Sequence, residues 1–525
     1  MRGTPLAGTG ALLRLALRRD RVLIPVWVLA TAGLVVSMPR SLGAVYGTAA
    51  ERAVNAASMN ANGSMRALYG PVFGDSLGAL TAWRIGVYGA LLAAVTGLIV
   101  VVRHTREEEE SGRQELLRAG VVGRAAPLTA ALLAALVAES ALALLVAGGL
   151  AGHGAAGALA LGAAIGGAGL VFAGVAAVAA QLTESARAAK GLTAAALGAA
   201  YVLKAAGDAG TPGGESTLTR LSPLGWVEYV RPFAGERWWV LALFAAAATV
   251  STGAAYVLAG RRDLGMSFLP ARPGPAVGRL GSAGALARRL QRGGLLGWSA
   301  AFLAAGTAFG GMASGAAEVV GGNEKTRRII ERMGGQSGLT EAFLAAMAGL
   351  FGLVAALYVV SCALRPYAEE TSGRAEPLLA GPVGRLRWAG GYLAVAFGGS
   401  ALILAVAGVG LGLGHGSAVG PTIGACLAQL PAVWTVGAVT VLLYGLAPRL
   451  APASWGVAGV LLALGWVGPA LDLPRAALNL SPFAHLPKLP GPAGPDWTVL
   501  LALTAVAAVL TAAGLAALRR RDLAG

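Results

Sequence analysis

The sequence predicts an all-α polytopic membrane protein of twelve transmembrane helices, built as two tandem six-helix repeats in parallel orientation. Three observations predict it. Apolar stretches of roughly 17 to 25 residues recur along all 525 residues, each long enough to cross a hydrocarbon layer of about 30 Å as a helix. The composition is 56% hydrophobic and only 13% charged, with a mean hydropathy of +0.68, where a soluble chain carries about 25% charged residues. The ten-residue alternating segments of a β-barrel do not occur. Finally, the chain repeats itself. ESGRQELLRAGVVGR (110–124) returns as TSGRAEPLLAGPVGR (371–385); LSP stands at 221–223 and 480–482, RRD at 261–263 and 520–522, and GHG at 152–154 and 414–416. Four landmarks keeping one spacing of about 260 residues mark a tandem duplication.

The first half, residues 1–262, opens with ALLRLALRRDR (11–21), leucines at helical spacing with arginines between them, which suits an amphipathic helix lying on a membrane surface. The apolar stretch that follows reads as a retained first span rather than a signal peptide. ARRLQRGGLLGWSAAFLAAG (287–306) repeats the basic-then-apolar order in mid-chain, where no signal peptide sits. Spans are expected near 22–38, 83–102, 128–150, 157–180, 189–206 and 239–259. A linker at 263–290, rich in Pro, Gly and Arg and expected to be irregular, leads into the second half, 291–525. Its spans are expected near 297–317, 343–364, 389–412, 421–446, 455–471 and 497–517. An even number of spans per half makes the halves parallel. Longer connections fall at 39–82 and 318–342, and again at 207–238 and 472–496. The second pair carries LSPLGWVEYVRPF and LSPFAHLPKLPGP, whose Trp and Pro suit short helices dipping into the interface.

The formal net charge is +16. With the N-terminus placed inside, about two-thirds of the 41 Lys and Arg fall on the inner segments, the bias that orients membrane proteins. Both termini are therefore expected in the cytoplasm, with the protein multi-pass in the plasma membrane, and the excess arginine is expected to meet anionic lipid rather than nucleic acid. Cys362 and Cys426 each lie in an apolar run, which suits packing better than a disulfide or metal framework, and the four histidines form no zinc pattern.

The most charged stretch, TREEEESGRQELLRAGVVGR (105–124), falls between the second and third spans, and its twin holds the same place in the second half. Ser111 suits an N-cap with Gln114 as its capping-box partner, opening a short helix from Gly112 to Ala119 that stops at Gly120 and sets Glu115 and Arg118 on one face. An acidic run, then Gly, a Glu two or three residues on, Leu-Leu and a closing Gly-Arg resembles the coupling-helix region of ABC-2 type transporter permeases. The fused pair of six-span units resembles actinobacterial permeases for tetronasin and polyketide antibiotics. The resemblance implies an exporter subunit for hydrophobic or amphipathic compounds, with two copies of a separate ATPase that holds ATP and Mg²⁺. It implies one ATPase copy on Glu108, Glu109, Gly112, Arg113 and Glu115, and the other on Glu369, Glu370, Gly373, Arg374 and Glu376. The chain itself is expected to hold no cofactor or metal. Pro377 and Pro382 depart from the pattern; Pro377 is expected to disrupt the second helix, making the two docking sites unequal.

Glu139 lies in the middle of the third span. A carboxylate at that depth either lines a translocation path or is protonated or hydrogen-bonded to a neighbouring helix; its repeat counterpart is Ser400. Gly162 and Gly166 form a G-x-x-x-G pair suited to close helix packing, and the GHG turns suit tight connections. No phosphate loop, H-E-x-x-H or G-x-S-x-G occurs, so neither an ATPase nor a membrane-embedded hydrolase is expected within this chain. A proton-driven twelve-helix drug transporter is the alternative reading; a short basic motif in place of the acidic loop would favour it.

Overall fold

The structure, a computed structural model, describes residues 4–118, 122–211, 216–263, 265–269, 280–321, 339–416, 419–466, 474, 478–491 and 494–522. They are helical nearly throughout, with one isolated bridge between Thr183 and Leu269. The chain divides into two compact units, Met1–Pro273 and Gly274–Gly525.

In the first unit α1 (Thr9–Arg19) leads into α2 (Leu23–Val45), and α3 (Ala49–Ala61) and α4 (Gly63–Tyr69) fill the first long connection. The second span is α5 (Leu77–Arg103), followed by α6 (Arg106–Glu110) and α7 (Arg113–Arg118). Next come α8 (Ala126–Leu150), α9 (Ala155–Leu182) and α10 (Ala186–Gly210). The short α11 (Thr217–Leu221) and α12 (Pro223–Tyr229) precede α13 (Val240–Gly260). α1 and α2 part at Asp20, whose buried carboxylate meets Arg103 Nε at 3.0 Å and His104 Nε2 at 2.7 Å. That pins the amphipathic helix to the end of the second span.

The second unit runs α14 (Ala283–Gly321), α15 (Leu339–Ala363), α16 (Arg365–Thr371), α17 (Glu376–Leu379), α18 (Arg385–His415), α19 (Val419–Leu427), α20 (Leu430–Leu446), α21 (Ser454–Trp466) and α22 (Trp497–Arg520). α14 takes in residues 283–290, so that part of the expected linker is regular helix. Residues 264 and 270–279 of the linker, most of the connection at 318–342, Gly120, and the later part of the eleventh expected span lie outside the described residues.

Among the described residues ten helices are long and apolar enough to cross a membrane, so the chain is an all-α, multi-pass membrane protein. The fifth element of each half departs from the expected twelve. α21 covers 13 described residues. α10 has 25 residues, about 37 Å at 1.5 Å per residue, but Arg187, Lys190, Lys204 and Asp208 interrupt its apolar run. Even so, it runs between opposite ends of the unit. Lys190 near its start pairs with Glu107 of α6. At its far end the fully buried Lys204 Nζ lies 2.8 Å from Glu228 and 3.3 Å from Asp208, and Thr219 Oγ1 donates to Asp208 at 2.7 Å. This enclosed cluster ties α10 to α11 and α12. Burial holds the Glu228 carboxyl well above the usual carboxylate range, against the opposing pull of Lys204.

Small residues set the helix spacing. A Cβ on Gly162 would strike the backbone carbonyl of Ala143, and one on Gly166 would come within 2.9 Å of the Glu139 carbonyl, so α8 and α9 pack backbone to backbone as the G-x-x-x-G pair predicts. In the second unit Gly310 and Gly414 hold α14 and α18 together in the same way. Gly154 (φ +133) and Gly416 (φ +69) close the two GHG turns in backbone conformations that favour glycine. Cys362 and Cys426 are free thiols and buried.

Gly162→Ala is expected to push α8 from α9 and destabilise the protein by about 1–3 kcal/mol, the cost of overpacking a filled contact. Gly198→Ala, whose Cβ would meet nothing within 4 Å, is expected to change stability by less than about 1 kcal/mol. Unfolding midpoints of the purified variants in detergent check the contrast.

Candidate functional site

The duplicated loop between the second and third spans is built in two short pieces. In the first unit α6 places Glu107, Glu108 and Glu109 in its first turn, where helix amide groups favour negative charge. Ser111 ends this helix, its Oγ donating to the Glu108 carbonyl at 3.2 Å, so it does not serve as the N-cap expected from its spacing to Gln114. Gly112 follows at φ +70 and redirects the chain into α7. The twin loop makes the same turn: Ser372 ends α16 and Gly373 stands at φ +71. Pro377 lies in the first turn of α17, where a missing N–H leaves no helical bond unmade. It starts the short helix instead of disrupting it, and α17 has four residues against six in α7.

Each loop is clasped to an arginine one or two residues past the end of its sixth span. Arg262 donates to both oxygens of Glu109, at 2.8 and 2.6 Å. Arg521 donates to both oxygens of Glu370, at 2.7 and 2.8 Å. These are bidentate fork-to-carboxylate pairs, the strongest ion-pair geometry available to arginine. They are also enclosed: the Glu109 and Arg262 side chains are each 7% exposed, and Glu370 only 2%. The far end of each loop reaches the same arginine through its backbone. Arg124 Nη2 donates to the carbonyl of Arg262 at 2.7 Å, and Arg385 donates to the carbonyl of Arg521. A side chain near the end of the fourth span completes each clasp. Gln181 accepts from Arg262 Nε at 3.0 Å; Tyr444 donates its hydroxyl to Glu370 and lies with its ring 4.9 Å from the Arg521 guanidinium. Hydrogen bonds to Glu370 hold Arg521 above its ordinary pKa. A second difference separates the halves: the buried Arg106 adds another guanidinium on Glu109, and Tyr367 stands at the matching position, its ring edge-on to Tyr444.

The structure sorts the residues expected to dock an ATPase into two sets. Arg113 and Arg374, with side chains 57% and 66% exposed, point outward, and Glu115, Gly373 and Glu376 are exposed beside them. Gly112 is half-buried. Glu108 and Glu369 are mostly covered, with Arg113 at 3.6 Å from the one and Arg374 at 3.7 Å from the other. Glu108 also pairs with Arg19 of α1. Glu109 and Glu370 face inward and anchor the loops instead of presenting a surface. Beside α7 a cleft of about 270 Å³ opens between the loop and the amphipathic helix, lined in part by Leu12, Leu15, Arg19, Arg113 and Pro127.

Glu139 and Ser400 occupy matching contacts between the third and fourth spans. The Glu139 carboxyl is buried with no hydrogen-bond partner among the described residues and lies where Gly169 leaves room for it. Ser400 Oγ donates to Phe397 O at 2.7 Å and accepts from Trp434 Nε1 at 3.1 Å. Both are enclosed in helix packing, 1% and 0% exposed.

A family model described as the C-terminal domain of multidrug efflux system permease Rv1217c matches residues 280–519, a stretch inside the second unit. The chain is also 45% identical to the multidrug efflux system permease protein Rv1217c of Mycobacterium tuberculosis (strain ATCC 25618 / H37Rv). That match covers 99% of this chain and 96% of the mycobacterial one.

Removing one partner of a buried ion pair strands the other. Glu370→Gln is therefore expected to lower stability by about 3–5 kcal/mol, while Glu376→Gln, on the exposed face, changes it by no more than about 0.5 kcal/mol. Thermal unfolding of the two purified variants compares them directly.

Proposed function

We propose a function from one premise: the chain belongs to the family of multidrug efflux system permeases. In our reading it is the transmembrane subunit of an ATP-binding-cassette exporter of the ABC-2 type, resembling the fused two-half permeases for tetronasin and polyketide antibiotics. One chain supplies both six-helix halves. Both termini and both charged loops face the cytoplasm, the side on which Lys and Arg concentrate. Two copies of a separate ATPase, carrying ATP and Mg²⁺, dock on the loops, one on Arg113 and Glu115 of α7 and the other on Arg374 and Glu376 of α17. The docking sites are unequal, because α17 is shorter and opens on Pro377. The cargo is hydrophobic or amphipathic, in keeping with spans lined by small apolar residues. Closure of the ATPase pair draws the loops together and opens the bundle outward.

The observation that carries this reading is the construction of the loops. A short helix with outward charges stands on a base fastened at both ends, which lets an external subunit push without unravelling its foothold. Charged groups at such a surface supply register and partner choice.

Co-purification with the ATPases encoded in the same cell tests the proposal. Wild-type chain is expected to retain an ATPase whose hydrolysis rises with added drug. Arg113→Glu combined with Arg374→Glu is expected to weaken that association by about 100-fold, as loss of interfacial charge pairs worth about 2–5 kcal/mol would, with the chain itself still folded. Drug export that persists without any ATPase and collapses when the proton gradient is dissipated would instead favour the proton-driven transporter.

A further inference from the structure

We propose that Arg262 and Arg521 are coupling residues, each binding a loop and a sixth span into one mechanical unit so that force applied to the loop moves that span. This rests on the exporter reading above and adds to it the path by which motion leaves the loop.

The geometry of the clasps supports the assignment in four ways. First, both ends of each loop converge on one residue. The acidic end reaches the guanidinium through Glu109 or Glu370, and the Gly-Arg end reaches the backbone carbonyl of the same arginine through Arg124 or Arg385. A loop held at one point could pivot, whereas a loop held at both by a single residue must carry that residue along. Second, the bidentate pairs fix direction as well as distance. Third, the arginine sits two residues past the end of α13 in one half and directly after α22 in the other. These are the least buried of the ten candidate spans, each with 17% of its apolar stretch buried within the described structure, and each packs chiefly on the fourth span of its own half. That fourth span is the one that sends Gln181 or Tyr444 into the clasp. Loop, sixth span and fourth span therefore meet at one point, and among the described residues the sixth span has few other attachments to resist being moved.

Fourth, the arrangement is kept in both halves while its surroundings change. Arg106 in the first becomes Tyr367 in the second, and Gln181 gives way to Tyr444, yet Glu–Arg and Arg–carbonyl contacts persist. A contact needed only to fill space could vary with its neighbours. A contact that transmits movement from each of two loops has to be present twice.

The test uses the full chain with its ATPase and compares wild type, Arg262→Lys, Arg521→Lys, the pair together, Arg521→Glu alone, and the charge exchange Glu370→Arg with Arg521→Glu. Lysine keeps the charge and loses the fork. Four quantities are read: chain abundance, ATPase retained, basal ATP hydrolysis, and drug moved per ATP hydrolysed. The proposal expects the double lysine variant to retain its ATPase and its basal hydrolysis within about twofold of wild type. Drug moved per ATP is expected to fall about tenfold, inside the range of ordinary coupling free energies, and the charge exchange is expected to recover part of the loss that Arg521→Glu alone produces. Transport per ATP unchanged in the double lysine variant overturns the proposal. So does a fall in every quantity in step with abundance, since that is what a merely structural contact would give. Wild-type chain that recruits no ATPase at all overturns the exporter reading, and this inference with it.

Discussion

Everything in the two charged loops depends on one ion pair per half, Glu109 with Arg262 and Glu370 with Arg521. Each lies at the edge of an apolar bundle, where a lone carboxylate or guanidinium would be costly to enclose and a hydrogen-bonded pair is tolerated. Because the pair is bidentate and covered, it fixes where α6 and α16 end. The glycine turns at Gly112 and Gly373 then fix how α7 and α17 leave. The outward charges Arg113 and Arg374 are thus positioned by residues buried beneath them. An exposed helix of four to six residues has almost no stability of its own, so its orientation has to come from its base.

The same economy runs through the bundle. Glycine and alanine at the α8–α9 and α14–α18 contacts bring backbones close, which is how helices associate when lipid offers no hydrophobic gain for burying large side chains. Several of the polar groups inside are held by one another: Lys204 between Asp208 and Glu228, Asp20 between Arg103 and His104, Ser400 under Trp434. The Glu139 carboxyl, by contrast, has no hydrogen-bond partner among the described residues and lies in a pocket that Gly169 leaves open.

Much of this was legible in the sequence. Apolar length located ten spans to within a few residues at most ends, because the bilayer imposes a length on any helix that crosses it. The repeat located the loops. The fifth elements were harder: α10 carries its charges toward partners that only the folded unit supplies, so hydropathy undercounts it. Ser111 satisfied the spacing rule for an N-cap, but the glycine after it takes a left-handed conformation and closes the previous helix instead. The inward turn of Glu109 and Glu370 could not be read from the loop alone, since an acidic run looks the same whether it faces water or an arginine about 150 residues away. A signal was nevertheless present. The RRD and VGR landmarks recur with the acidic run at nearly the same spacing, and opposite charges duplicated together are candidates for a pair.

The central claim is that the outward helices on these clasped loops are where a separate motor subunit takes hold. The most direct measurement replaces Arg113 or Arg374 with a photo-crosslinking residue and irradiates intact cells. The account predicts an adduct between this chain and an ATPase at both positions, with its yield changing as ATP is turned over. Adducts with lipid alone, or none in a cell actively exporting drug, would contradict it.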